Sequence, residues 1–221
     1  MIIDLSHTIR AGMTTYPGLP APALTPHLTR DDSRSIYAPG TEFAMDIITM
    51  IGNTGTYLDS PFHRYADRGD LASLELETLV DLPAIVVHRP GTSSRAIGVE
   101  EIPDSVGAGS AVLFHTGWDR HFGTDAYGQG APFVTTEAAH ELAHRGVALV
   151  GIDSVNIDDT APKSGGERPA HSILLHRGIH IVEHLTNLAA VPERGARFTA
   201  APPRIEGFGT FPVRAYVTFG S

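Results

Sequence analysis

Between Asn53 and Asp70 the chain reads NTGTYLDSPFHRYADRGD, which sets Asp59 and His63 four residues apart beside Pro61. A carboxylate and an imidazole on a turn stiffened by glycine and proline can hold a metal ion or work as an acid–base pair. The same spacing also suits a plain turn, with Asp59 capping backbone amides and His63 solvated. A second segment, His171 to Asn187, reads HSILLHRGIHIVEHLTN. Glu183 follows the apolar run Ile179–Val182, where a charged carboxylate costs free energy unless it is paired or bound to a cation. His180 and His184 flank it as ordinary partners; alternatively, Glu183 is a metal ligand joined by His171 from the preceding turn. A third segment, GIDSVNIDD at Gly151–Asp159, ends an apolar run, and ligands gather beyond strand C-termini in open α/β sheets. Asp153 and Asp158 are candidates there for turn capping, for supporting other ligands or for touching a substrate. HELAH at His140–His144 matches the HExxH zinc motif, but no third ligand is identifiable downstream and the match is read as chance.

These residues need a scaffold to bring them together. Ile2 to Leu5 reads as a short strand, followed by a long loop carrying Met13, Tyr16, Pro17, Gly18 and Pro20. Phe43–Ile51 alternates in part and reads as a strand running into a polar turn at Gly52–Gly55. Pro83–His88, Ala111–His115 and Val147–Ile152 are continuous apolar runs, which suit strands buried on both faces of a sheet. Thr136–Arg145 reads as a helix with Thr135 as N-cap and Gly146 past its end. A second helical stretch is expected at Pro169–Arg177, with Pro169 near its start and Gly178 after its end. Pro212–Phe219 alternates and predicts a half-exposed antiparallel strand at a sheet edge. No linker is long enough to divide the chain, so residues 1–221 read as a single α/β domain.

Composition narrows the chemistry further. The chain has 221 residues, 16 basic and 25 acidic, for a net charge of −9. The basic residues are dispersed, which argues against nucleic acid as a partner. Cysteine is absent and there are 12 histidines, so any metal must be held by nitrogen and oxygen. The start, MIIDLSHTIR, lacks the basic and apolar regions of a signal peptide, and no stretch approaches the roughly 18–20 apolar residues of a membrane span. A cytoplasmic protein with no membrane association is expected.

Several segments occur in a telling order: DLSH at Asp4–His7, YPGLP at Tyr16–Pro20, GTxxDxPxH at Gly55–His63 and HTGWD at His115–Asp119. RGVALVGIDS at Arg145–Ser154 and HxxLL…ExLxNL at His171–Leu188 complete the set. Together they resemble, over residues 2 to 218, the cyclase family whose best-known member is bacterial kynurenine formamidase and which includes isatin hydrolase. The resemblance implies a swivelling β/β/α fold, assembled as a homo-dimer or homo-tetramer, that hydrolyses an amide or lactam at a zinc or manganese centre. It also puts the HELAH helix on the outside. The family signature is HxGTHxDxPxH: its first two histidines and its aspartate bind metal, and its last histidine is the acid–base group. A later histidine and glutamate complete the shell. Here Asp59, His63, His171 and Glu183 occupy four of those positions, while Asn53 and Tyr57 replace the first two histidines.

Asn offers only a neutral oxygen, and Tyr binds metal well only as phenolate, from a pKa of about 10. Three outcomes follow. Asp59, His171 and Glu183 could hold one divalent metal, Mn or Zn, with His63 or a water as a further ligand, in an oxygen-rich shell that favours Mn²⁺ or Mg²⁺ over a histidine-rich zinc site. The pocket could instead be metal-free, with His63 as base, Asp59 or Glu183 as its partner and Tyr57 as hydrogen-bond donor to a carbonyl. Or the fold could be a catalytically silent binder of a small molecule or partner chain. The favoured expectation is an enzyme acting on an amide, lactam or lactone carbonyl, with His63, Tyr57 and Asp59 catalytic. Asn53, Tyr16 and Trp118 are then expected to contact the substrate.

Overall fold

A computed structural model gives the fold for residues 1–220. In chain order the elements begin with β1 (Ile2–Asp4), β2 (Ala23–Leu28), α1 (Arg30–Ser33), β3 (Met45–Thr49), β4 (Tyr57–Asp59), β5 (Leu82–His88) and β6 (Ala96–Ile97). They continue with β7 (Ala111–His115), β8 (Phe133–Val134), α2 (Thr136–His144), β9 (Leu149–Ile152), α3 (Pro169–His176) and β10 (His180–Glu183). The last are β11 (Ala196–Thr199), β12 (Thr210–Pro212) and β13 (Tyr216–Thr218).

Nine strands form one sheet in the order β1-β13-β11-β5-β7-β9-β10-β4-β12. Its centre, β5-β7-β9-β10, is parallel, and antiparallel strands continue it on both sides. The apolar runs sit in that centre because alternate side chains feed two different cores. Leu113 and Leu149 point into one core; Val112, Phe114, Val150 and Ile152 point into the other, which α2 and α3 cover with Ala139, Leu142, Leu174 and Leu175. Thr135 caps α2 by accepting the Ala138 amide at 3.1 Å. The α/β class read from the sequence holds.

Two expectations need correction. Pro212–Phe219 is not one edge strand. The chain breaks at Val213–Ala215, where Val213 N reaches Thr56 O and Ala215 O receives Leu5 N. The pieces then part: β12 takes one edge, while β13 lies inside the other, covered by β1. The loop expected after Leu5 contains β2, whose ALTPHL lacks apolar alternation and carries a proline. It pairs with β3 in a separate two-stranded ribbon, so the Phe43–Ile51 strand belongs to that ribbon and not to the main sheet. No helix among the described residues is long and apolar enough to cross a membrane.

Candidate active site

The antiparallel end of the sheet builds an acidic cluster. β4 lies between β10 and β12, with Tyr57 opposite Glu183 on one side and Asp59 opposite Thr210 on the other. The two-residue strand period puts Tyr57 and Asp59 on one face and turns Leu58 into the core behind. The contacts follow from that register. The Tyr57 hydroxyl donates to Glu183 Oε2 at 2.5 Å, and the Thr210 hydroxyl donates to Asp59 Oδ1 at 2.5 Å. The other Glu183 oxygen accepts the Ile157 amide at 2.6 Å.

His63 comes from a 3-10 turn, Pro61–His63, that follows β4 directly. Its Nδ1 lies 2.6 Å from Thr210 Oγ1. The threonine's single hydrogen goes to Asp59, so His63 Nδ1–H is the donor here, and in the neutral ring Nε2 carries the lone pair. The turn approaches β12 closely because residue 209 is glycine: a Cβ there would stand 2.6 Å from His63 N and Cα.

His171 sits in the first turn of α3, with Nδ1 2.7 Å from Asp158 Oδ2. Asp158 also accepts the Ala170 amide at 2.7 Å and the His171 amide at 3.1 Å, so one carboxylate caps the helix and aims the ring. His171 Nε2 then lies 3.6 Å from Asp59 Oδ2 and 3.7 Å from Glu183 Oε1. Asp59 Oδ2 is buried with no hydrogen-bond partner. Ligands about 2.0–2.2 Å from a tetrahedral ion stand about 3.3–3.6 Å from one another, close to both separations. Among the described residues, Asp59, His63 and His171 form the one compact triplet of possible ligand atoms, all within 4.8 Å; Glu183 is outside it, with Oε1 3.7 Å from His171 Nε2.

The electrostatics point the same way. Burial disfavours charge on His171, but its bond to Asp158, the nearby Asp59 and the charge of Glu183 outweigh this and hold it up to about 10. Burial, reinforced by Asp59, pushes the Glu183 carboxyl up to about 7 against the attraction of His171. Asp59 is held below its ordinary value because His171, His63 and Thr210 together overcome the cost of its burial. Three buried carboxylates around one imidazole are an excess of negative charge, the donor set that a divalent cation relieves. The Tyr57 hydroxyl is driven well above its ordinary value by burial and by Glu183, so as placed it is a phenol donating to Glu183.

The cluster opens onto two cavities that share His63, Asn156, Arg168 and His171. The inner one, about 260 Å³, is also lined by Tyr16, Asn53, Tyr57 and Glu183; the outer, about 550 Å³, by Arg64 and the 166–169 loop. Asn53 and Tyr16 are thus at the pocket wall. Tyr16 donates to Val155 O at 2.5 Å and accepts from Asn156 Nδ2 at 2.7 Å. Trp118 is elsewhere: its indole N–H donates to Tyr127 O at 2.9 Å and its ring packs on the Tyr127–Val155 cluster, so it lines neither cavity. Tyr57 differs from expectation too, since its hydrogen is committed to Glu183 and does not face an open carbonyl position. His140 and His144 are exposed on α2 and take no part in the triplet. Thr210, Asn156, Arg64 and Arg168 carried no local sequence signal.

Known proteins share this architecture. Residues 3–159 match the family described as "Putative cyclase". The chain is 28% identical over 216 residues to the kynurenine formamidase of Bacillus cytotoxicus, covering 97% of this chain and 96% of that one. Its fold is similar to an isatin hydrolase bound to the product analogue thioisatinate, with a TM-score of 0.81, 23% identity and coverage of 99% and 92%. It is also similar to a potential metal-dependent hydrolase with cyclase activity, with a TM-score of 0.78, 26% identity and coverage of 98% and 96%.

Proposed function

Since this chain belongs to the cyclase family, which its residues 3–159 match, we propose that it is a hydrolase of that family whose cleft opens an amide, lactam or lactone carbonyl of a small molecule. The observation that carries the reading is the unpartnered, buried Asp59 Oδ2 facing His171 Nε2 at 3.6 Å. Asp59, His171 and Glu183 would hold one divalent cation, Mn²⁺ or Zn²⁺, the oxygen-rich shell favouring Mn²⁺. When bound, such a cation supplies Lewis acidity, polarising a carbonyl and acidifying water.

The chain's own groups do the rest. His63 Nε2 takes the proton of the attacking water, and Thr210 and Asp59 fix the ring with that nitrogen free. The same nitrogen then returns the proton to the departing amine or alkoxide. Asp158 keeps the His171 ring aimed, and Tyr57 with the Ile157 amide keeps Glu183 in place. Asn53 and Tyr16 line the inner wall against the substrate.

The test is turnover of N-formylkynurenine, isatin and simple lactones by purified protein, with and without added Mn²⁺ or Zn²⁺. Hydrolysis of at least one, lost in Asp59→Ala and in His63→Ala, is the expected result. No turnover of any of them with either metal, together with unchanged ligand binding in Asp59→Ala, would leave only a silent binder.

A further inference from the structure

The outer cavity has a charge opposite to the bottom of the site. Arg168, the residue before α3, lines both cavities, and Arg64, the residue after His63, lines the outer one. Neither guanidinium has a carboxylate within 4.0 Å among the described residues; other arginines, Arg68, Arg177 and Arg204 among them, also lack one, but Arg64 and Arg168 are the arginines that line this cleft. Arg168 donates through Nη1 alone, to the carbonyls of Asp159 at 3.3 Å and Glu167 at 2.7 Å. Arg64 makes one long hydrogen bond, from Nε to Ser172 Oγ at 3.4 Å, and its guanidinium lies over the Tyr65 ring, 5.4 Å from the centroid. The remaining N–H groups of both forks have no protein acceptor among the described residues. In a chain of net charge −9, two such cations on one cleft call for an anionic partner from outside.

We propose that Arg168 and Arg64 form a carboxylate-binding subsite, and that the substrate therefore carries a carboxylate at the end remote from the carbonyl under attack. This rests on the hydrolase reading and names the substrate class. The buried carboxylates of Asp59, Asp158 and Glu183 repel an anion from the bottom of the site, and the mouth attracts it. The molecule is thus turned with its neutral carbonyl inward. A carboxylate suits the subsite better than a phosphate does. The first amides of α3, which would cradle a phosphate, are already taken by Asp158, leaving two planar forks. Glu167 lines the same cavity and weakens the attraction.

Binding is read by titrating the purified protein with benzoate, benzamide and inorganic phosphate, so that the result does not depend on turnover. Benzoate is expected to bind more tightly than either of the others. Arg168→Gln is expected to weaken it by about tenfold and Arg64→Gln by about threefold, with Arg168→Lys recovering part and Glu167→Gln tightening it. The kinetic counterpart is 4-formamidobenzoate, whose carboxylate lies at the far end of the ring from the formamide, against formanilide: both arginine variants raise KM for the first only and leave kcat nearly unchanged. If benzoate binds no better than benzamide, or within twofold as well to both arginine variants, the subsite is refuted. A carboxylate caught deep against Asp59 and His171 would give that second outcome. Tighter binding of phosphate than of benzoate would also refute it. Benzoate selectivity that survives while no formamide, isatin or lactone is hydrolysed would instead overturn the hydrolase reading and keep the subsite.

Discussion

A single hydroxyl hydrogen, on Thr210, joins the acid–base half of the site to the ligand half. It goes to Asp59, which makes the threonine oxygen the acceptor for His63. Thr210→Val keeps the shape and removes both bonds. We expect kcat to fall about 10–100-fold with metal content retained, since positioned proton transfer is worth about 10²–10⁴-fold. Stability should drop by about 1–3 kcal/mol because a buried Asp59 oxygen loses its donor; kinetics and denaturant unfolding measure the two effects separately. Asp59, His63, His171 and Glu183 can be picked out in the sequence because they are of types that bind metal or move protons and fall on the spacing of the family signature. Thr210 cannot: it acquires its role from a strand register that pairs it with a residue 151 positions away. Histidines outside the triplet destabilise the fold in acid together: burial holds His184 down to about 3 and His7 to about 4. His180, buried beside Thr78, is held down to about 4. Its folded value lies below the unfolded 6.5, so between about pH 6.5 and about pH 4 the unfolded chain binds the extra proton. The stability it contributes is complete above that window and disappears as pH falls through it, on the order of 3 kcal/mol. Melting temperature from about pH 7.5 to about pH 5 should fall steeply, and less steeply in His180→Gln.

At the scale of elements, the site depends on how closely three pieces of backbone approach one another. Gly209 on the way into β12 lets the Pro61–His63 turn lie against it, with Ser60 N donating to Gly209 O at 2.8 Å. Gly209→Ala sets a Cβ 2.6 Å from the His63 backbone, so the turn must move. Activity should fall by more than about tenfold at nearly unchanged helix content in circular dichroism. Asp158→Ala releases the start of α3 and the His171 ring together. The lost cap costs about 1 kcal/mol, and metal affinity should fall about 10–100-fold in a competition titration. The central strands and both long helices are readable from sequence because buried apolar runs and caps are local signals. β2 is not, since ALTPHL has no burial pattern of its own. The split of the last strand into β12 and β13 depends on Thr56 and Leu5, far away in the chain.

The whole molecule carries one feature that its own core does not absorb. Along the β2–β3 ribbon, the neighbouring Ile47 and Ile48 are 49% and 57% exposed, so both of its faces are uncovered, and Phe43 and Met45 are exposed beside them. A lone two-stranded ribbon is marginal in water, and a large apolar patch marks an interface. We propose that a second copy of this chain covers it. Sedimentation should give a dimer or larger species, and Ile47→Asp with Ile48→Asp should give a monomer; a monomeric parent protein would refute the assembly. The central claim is that one divalent ion is held where the family signature has lost two histidines. Elemental analysis of the purified protein after Mn²⁺ or Zn²⁺ loading and desalting tests it most directly. About one ion per chain, falling to near zero in Asp59→Ala and in Glu183→Gln, is the predicted result; two ions per chain, or none, would contradict it.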